Sequence, residues 1–352
     1  MNKYLVLADG NSVHTLKWIK ELSKYFDIYI ISFNFIRDDI IAIAGKQNSF
    51  YLPSKVNISG GNINILCHTF KVARLIKQIN PQYINAHYIT SYGTIAVLAT
   101  MLCGYSGRLI SSTWGTDVLV TPWKNKIYFY LTRLVLSKSD IVTSDSHYMT
   151  TKILGIYARA NVMTFPFGIE EFPKIELGEK NQKYLFSNRG LEANYNIDLA
   201  IRIFAKLYSL GKAEKLYIAH DGTERENLQQ LVKSLKLTDV VEFLGFMPLD
   251  KQREYYKKCG FYISVPASDS TSVSLLEAMA YGCVPIVSNI PANTEWIANK
   301  ENGLVIDSLD DVDISGLDYE NMFYLNRDKI KKKAIWSKNI EGYIGMIKSM
   351  YS

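Results

Sequence analysis

Residues Asp269 to Pro285 read D-S-T-S-V-S-L-L-E-A-M-A-Y-G-C-V-P. Asp269 and Glu277 stand eight residues apart, with a Ser/Thr turn between them and an Ala-rich helix predicted to begin near Val273. The start of a helix offers unpaired backbone N–H groups and a partial positive charge, which suits a phosphate. Ser272, Val273 and Ser274 supply those N–H groups, so their side-chain identity matters little for this role. The flanking carboxylates cannot hold a phosphate, but they accept hydrogen bonds from hydroxyls, which a sugar and a ribose both carry in pairs. A ligand with hydroxyls at both ends and phosphates between them is a nucleotide sugar. An ordinary amphipathic helix after a polar loop is the plainer reading of the two carboxylates alone, and the residues after Glu277 weigh against it.

Outward from this stretch, short apolar runs alternate with helical patterns along most of the chain. Lys3 to Ala8 reads as a buried strand, Ser12 as an N-cap, Val13 to Tyr25 as a helix and Asp27 to Phe33 as the next strand. Strands at Tyr83 to Ala86, Arg108 to Thr113, Asp140 to Thr143 and Asn161 to Phe165 follow, separated by helix-compatible segments. The pattern lapses into Pro, Gly, Glu and Lys from Pro166 to Asn181, as a connection would. It restarts with strands at Lys183 to Asn188, Lys215 to Ala219, Val240 to Leu244, Phe261 to Val265 and Val284 to Val287. Repeated alternation of this kind specifies an α/β chain with two doubly wound, Rossmann-like, largely parallel sheets. The expected domains are 1–172, 173–325 and a helical segment 326–352. Neither unit carries a G-x-G-x-x-G fingerprint, so a dinucleotide cofactor is unsupported.

Composition narrows the class further. At 352 residues the chain exceeds what one core usually supports, which agrees with two domains. Its four cysteines lie far apart with no C-x-x-C pair, against a zinc site or a disulfide framework and in favour of a reducing cytosol. No signal peptide is read at the start, and the longest apolar run, Gly93 to Tyr105, is 13 residues, short of a membrane span. Charge is uneven: residues 1–174 hold 18 Lys and Arg against 10 Asp and Glu, the remainder 22 against 24. A basic first half points to an anionic partner such as phospholipid or a lipid-linked pyrophosphate. A nucleic-acid partner would need a recognition fold, and the α/β pattern offers none.

The opening stretch resembles the signature of glycosyltransferase family 4, in which two glutamates flank seven residues before an A-M-A-x-G-x-P-V-V run. Glu277-Ala278-Met279-Ala280 with Gly282 and Pro285 follows that pattern, and Asp269 stands at the first glutamate. The resemblance implies the GT-B architecture, two Rossmann-like domains facing across a cleft, the first binding the acceptor and the second the nucleotide sugar, with the C-terminal helical segment packing back on the first. It implies retaining transfer of a hexosyl or N-acetylhexosaminyl group from a nucleoside-diphosphate sugar, with UDP expected. The acceptor would be a lipid-linked saccharide or polysaccharide, as in lipopolysaccharide and surface-polysaccharide synthesis, with the protein cytoplasmic and peripheral at the inner face of the membrane. No cofactor beyond the nucleotide-sugar co-substrate and no metal held by an Asp-x-Asp motif are implied; Asp311-Val312-Asp313 falls in a late polar stretch that reads as a loop.

The same resemblance assigns roles. Arg189 occupies the place of the arginine that contacts the diphosphate, where a guanidinium offsets the charge growing on the leaving nucleotide. A lysine usually follows five or six residues later, but Asn194 and Tyr195 stand there. Glu277 would accept from the ribose and Asp269 from the transferred sugar. Asp269 is one methylene shorter than glutamate, so a shifted loop or a different sugar is implied. Val241 to Met247 matches an element near which the base binds, so Phe246 and Met247 either flank a pyrimidine or pack in the core. In the first half, Gly10 follows the first strand, where a glycine allows close backbone approach to a ligand, and His14 opens the next helix. Asp117 closes Ser112-Thr113-Trp114-Gly115-Thr116-Asp117, similar to the family's H-G-x-D element with Trp114 in place of the histidine. That imidazole's role does not carry over, and His87, just after a strand, is a substitute.

Basic and aromatic residues interleave from Trp123 to Lys138, as suits an anionic membrane surface. The stripe Ile127, Tyr130, Leu131, Leu134 reads equally as the buried face of an ordinary helix. Two further functions share these residues: a non-catalytic nucleotide-sugar-binding partner of another transferase, and a nucleotide-sugar epimerase.

Overall fold

The computed structural model describes residues 1–54 and 63–350; Tyr351 and Ser352, the end of the expected C-terminal helical segment, lie outside the described residues. Contacts divide the chain into two units, one of Met1–Phe165 with the chain from Ile340 onward, the other Pro166–Asn339. The first unit contains β1 (Lys3–Leu7), β2 (Asp27–Ser32), β3 (Ser49–Tyr51), β4 (Tyr83–His87), β5 (Arg108–Ser112), β6 (Ile141–Ser144) and β7 (Val162–Thr164). They form one sheet in the order β3-β2-β1-β4-β5-β6-β7, every neighbouring pair parallel. The second unit contains β8 (Asn181–Ser187), β9 (Lys215–Ala219), β10 (Val241–Gly245), β11 (Cys259–Ser264), β12 (Val284–Ser288) and β13 (Leu304–Ile306). Their order is β10-β9-β8-β11-β12-β13, again all parallel.

Helices on both faces bury these sheets, so their strands are near-continuous apolar runs rather than alternating ones. Tyr4 to Ala8 and Phe186, Tyr262, Ile263, Ile286 and Val287 are all fully buried. The doubly wound α/β class is therefore as expected. Two strands, β3 and β13, are absent from the sequence reading. Each has only three residues at the outer edge of its sheet.

Strand order reverses between β1 and β4 in the first sheet and between β8 and β11 in the second. At such a point the connections leave to opposite faces and open a crevice beyond the carboxyl ends of the strands, the place where ligands bind in open α/β sheets. Gly10 and His87 lie at the ends of β1 and β4, and Arg189 and Asp269 follow β8 and β11.

The division of contacts differs from the sequence boundaries at 172/173 and 325/326, for local reasons. Ile169 donates to the carbonyl of Ala334 and accepts from the N–H of Trp336, so both segments join the second unit. Asn326 donates to the carbonyls of Cys283 and Asn302, holding the helix Tyr319–Lys333 there as well. Beyond Ile340 the helix Trp336–Ser349 belongs to the first unit: the hydroxyls of Tyr343 and Tyr4 meet at 2.5 Å, and Tyr343 lies edge-on to Trp18 at 5.2 Å.

The helix Lys126–Lys138 resolves the two readings of its stripe. It buries Thr132, Val135 and Leu136, whereas Ile127 and Tyr130 are 67% and 64% exposed. The buried-face reading of Ile127 and Tyr130 is thus corrected: the core face lies one third of a turn round, and Leu131 and Leu134 sit half-buried at its margin. Among the described residues no helix is long and apolar enough to cross a membrane.

Candidate functional site

In the second unit the sharp turn after β8 presents Arg189, and the loop after β11 leads through Asp269 into the helix Val273–Ala280. Ser272 caps that helix, its hydroxyl accepting from the N–H of Leu275. The first-turn N–H groups of the helix face the same end as Arg189. The guanidinium is held from three sides. Its Nη2 donates to Asp269 Oδ2 at 2.6 Å, its Nη1 to the hydroxyls of Ser272 at 2.5 Å and Ser274 at 3.0 Å, and its plane lies over the Tyr195 ring at 4.4 Å. The Arg189 side chain is 10% exposed and that of Asp269 19%. Burial raises the Asp269 carboxyl above its ordinary value, and the charge of Arg189 opposes that rise. The Nε–H of Arg189 is buried and has no hydrogen-bond partner among the described residues. A cation so deeply placed at a helix start, with its Nε–H and one Nη2–H left over, has the geometry of an oxyanion receptor.

Glu277 stands on the next turn of the helix, half-buried, with the hydroxyl of Tyr256 3.3 Å from its Oε2. Asn194 donates to the carbonyl of Ser268 at 3.0 Å and accepts from the N–H of Ala267, so it ties the loop after β8 to the loop carrying Asp269. Of the expected base-flanking pair, Phe246 is 74% exposed and Met247 packs against the core. Phe246 has a partner that sequence reasoning passed over: the ring of His220 lies 5.4 Å away, edge-on. His220 has φ +86, a backbone conformation costly for a side chain of this size, and it donates its N–H to the carbonyl of Gly245 at 2.7 Å. A polar turn directly after β9, Ala219-His220-Asp221-Gly222, was the signal available.

In the first unit one cluster gathers four expected residues. Trp114 stacks on Tyr88 with centroids 5.5 Å apart, and stands 5.3 Å from His87 and 5.2 Å from His14. His87 is 1% exposed, and both ring nitrogens lack a hydrogen-bond partner among the described residues. Burial, aided by the nearby His14, pushes its pKa down to about 3, so it is a neutral imidazole at ordinary pH. Asp117 lies within the fold, its two oxygens accepting from the N–H groups of Trp114 and Ile89 at 2.9 Å each. Burial pushes its pKa up to about 6, and those backbone donors oppose the shift. It joins the loop after β5 to the π-helical turn Tyr88–Gly93 after β4. Gly10 is required by packing: a Cβ there would lie 2.8 Å from Ile36 Cγ1 and 3.1 Å from the Phe35 carbonyl.

Among the described residues no three His, Cys, Asp or Glu side chains gather as metal ligands. The acidic pair in the late stretch is engaged locally: Asp311 accepts from the N–H groups of Asp307 and Ser308, and Asp313 from that of Ser315.

Residues 168–316 match the family model for glycosyl transferases group 1, and residues 3–146 match the model described as glycosyl transferase 4-like. The chain is 26% identical over 247 residues to N-acetyl-alpha-D-glucosaminyl L-malate synthase of Bacillus anthracis, a match covering 66% of this chain and 63% of that protein. It is 26% identical over 189 residues to alpha-monoglucosyldiacylglycerol synthase of Streptococcus pneumoniae, covering 49% of this chain and 43% of that one. The chain thus spans between two fifths and two thirds of the length of these relatives. Its fold is similar to that of Anabaena HepE solved in complex with UDP, with a TM-score of 0.76, 13% identity, and 99% of this chain and 100% of that chain covered.

Proposed function

The chain belongs to the GT-B glycosyltransferases, and from that premise we propose that it moves a hexosyl or N-acetylhexosaminyl group from a UDP-sugar to a lipid-linked saccharide or polysaccharide acceptor, with retention and without a metal. The observation that carries this reading is the buried Arg189, with an uncommitted Nε–H, at the strand-order reversal of the second sheet. Its guanidinium and the first-turn N–H groups of Val273 and Ser274 take the diphosphate. Glu277 accepts from the ribose hydroxyls. Asp269 accepts from a hydroxyl of the transferred sugar while it holds Arg189; a carboxylate has about four lone-pair sites, and here the protein fills two. Phe246 and His220 are placed for the base, with Asn194 holding the sugar-side loop.

The bond from the anomeric carbon to the β-phosphate oxygen breaks with its electron pair going to UDP. Arg189 offsets the charge that develops there. The acceptor hydroxyl attacks on the same face, and its proton passes to the departing phosphate oxygen. This needs no carboxylate nucleophile. The first unit takes the acceptor, with the neutral His87, His14, Trp114 and Asp117 as its candidate residues. HepE was solved with UDP, and the pneumococcal relative is named for a diacylglycerol product, which favours a UDP donor and a lipid-borne acceptor.

The test is UDP release from a panel of UDP-sugars, with and without lipid-linked saccharides, in EDTA. Release is expected only with donor and acceptor together. Turnover restored solely by added manganese would refute metal independence. Conversion of donor without acceptor would make the chain an epimerase, and donor binding without release a non-catalytic partner.

We further propose that the protein works at the inner face of the cytoplasmic membrane, held by the helix Lys126–Lys138 and the turn before it. Trp123, Ile127 and Tyr130 are exposed beside exposed Lys124, Lys126 and Arg133, and no acidic residue occurs between Asp117 and Asp140. Aromatic and cationic groups on one face suit the headgroup region. Each cation contributes about 1 kcal/mol near an anionic surface, so changing all three to Ser should weaken sedimentation with anionic vesicles about a hundredfold. Binding indifferent to both this change and salt would remove the proposal.

A further inference from the structure

Asn188, the residue between β8 and Arg189, is the centre of a partly buried polar network. Its Nδ2 donates to Gln252 Oε1 at 2.6 Å and to the hydroxyl of Tyr256 at 2.7 Å, which uses both amide hydrogens. Its Oδ1 accepts from the hydroxyl of Tyr262 at 2.8 Å. Each partner reaches a different part of the candidate donor site. Gln252 donates to the carbonyl of Met247 at 2.9 Å, in the turn that carries Phe246. Tyr256 accepts from Asn188, so its own proton is left for Glu277 Oε2 at 3.3 Å or the carbonyl of Ser274 at 3.2 Å. The Tyr262 oxygen lies 3.0 Å from Ser274 Oγ, which in turn accepts from Arg189. Both phenols are fully buried. Burial pushes Tyr262 up to about 12 and Tyr256 well above its ordinary value, so both stay protonated donors.

We propose that Asn188, Tyr256 and Tyr262 are positioning residues that hold the base-side turn, Glu277 and the Ser274–Arg189 platform in one register, so that the nucleoside diphosphate is bound by a single preorganised unit. The proposal rests on the donor-site reading above. Three features carry it. The amide of Asn188 is matched to its partners with no donor left over, a condition under which a buried network is rigid rather than costly. The groups it joins follow three different strands, β8, β10 and β11, so no local backbone feature sets their spacing. Tyr256 is backed on its far side by Tyr281, stacked at 5.6 Å and 16°, which fixes the plane in which its hydroxyl points. A residue misplaced by about 1 Å in such a site is expensive even when the fold survives.

Removing the whole hub by Asn188→Ala strands several buried groups and endangers folding, so the decisive variants are Tyr256→Phe and Tyr262→Phe, which each delete one hydroxyl. The experiment measures UDP affinity by calorimetry and the thermal midpoint for the full chain, for each Phe variant, and for Tyr256→Phe combined with Glu277→Gln. Each Phe change is expected to weaken UDP by about tenfold, the order of one hydrogen bond to a charged or buried polar group. In the Glu277→Gln background the Tyr256→Phe effect should fall below about twofold, because the two groups act as one and their effects do not add. A lowered midpoint with UDP affinity unchanged in both Phe variants would reduce the network to ordinary core support and overturn the proposal. Full additivity with Glu277→Gln would do the same. Absence of UDP binding by the unsubstituted protein is a different failure, since it removes the donor-site reading and the network's role with it.

Discussion

Arg189→Ala should lower kcat for sugar transfer by about a hundred- to a thousandfold, the loss measured when a preorganised donor to developing negative charge is deleted. The effect is expected to be large because no second cation stands beside it in sequence: Asn194 and Tyr195 occupy the positions where a clamp lysine would fall. Arg189→Lys should recover only part of the loss, since an ammonium keeps the charge but not the planar fork that reaches Asp269, Ser272 and Ser274 together. The alanine variant also leaves Asp269 buried without its partner, a change that costs about 3–5 kcal/mol when both charges are deeply placed. Arg189→Ala with Asp269→Ala should therefore regain stability and stay inactive. Steady-state kinetics read beside chemical denaturation separate the two effects. An Arg189→Ala protein that kept its activity within about fivefold would contradict the proposed role, given the hundredfold minimum expected for such a donor.

Gly282→Ala is expected to be the most destabilising single-methyl change in the motif from Asp269 to Pro285. Gly282 follows the helix Val273–Ala280 with φ +73, and the N–H groups of Gly282 and Cys283 return to the carbonyls of Met279 and Ala278. That is the Schellman ending of a helix, which needs a left-handed residue at this place. An added Cβ would also fall 2.2 Å from Cδ2 of Phe323, whose ring is 1% exposed and cannot retreat. The left-handed backbone costs about 1–2 kcal/mol. The overpacked ring adds about 1–3 kcal/mol. Gly316→Ala is the control, because Gly316 shares φ +73 and its Cβ would meet nothing within 4 Å. The difference between the two thermal midpoints isolates the clash with Phe323, and equal midpoints would show that the ring yields after all.

Much of the architecture was legible because its causes are local. Buried strands such as Tyr4 to Ala8 announce themselves as apolar runs, and the helix at Val273 by a capping Ser272 before it and Gly282 after it. These signals depend on neighbours within about four residues, as helix and strand periods do. Asp269 and Arg189 were legible because each sits in a polar loop that follows a strand, and Glu277 by its place in the motif on the helix after that loop. Strands β3 and β13, three residues each at a sheet edge, were not.

The sequence by itself determined two α/β units, the motif from Asp269 to Pro285, and the residue types available to bind a nucleotide sugar. Only the tertiary structure decided how those residues meet. Arg189 and Asp269 lie 80 positions apart and pair at 2.6 Å because β8 and β11, which precede them, are neighbours across the strand-order reversal. Asp269 was expected to reach only the sugar, and its engagement of Arg189 follows from that adjacency. Trp114 brings His14 and His87 to one ring cluster through the loops after β5, β1 and β4. Asn188 meets Tyr256 and Tyr262 over 68 and 74 positions in the same way. Which face of Lys126–Lys138 is exposed was likewise a packing outcome, since its apolar residues encircle the helix and periodicity admits either face. Strand order and helix rotation are set by non-local contacts, whose sequence separation leaves no periodic trace in the chain.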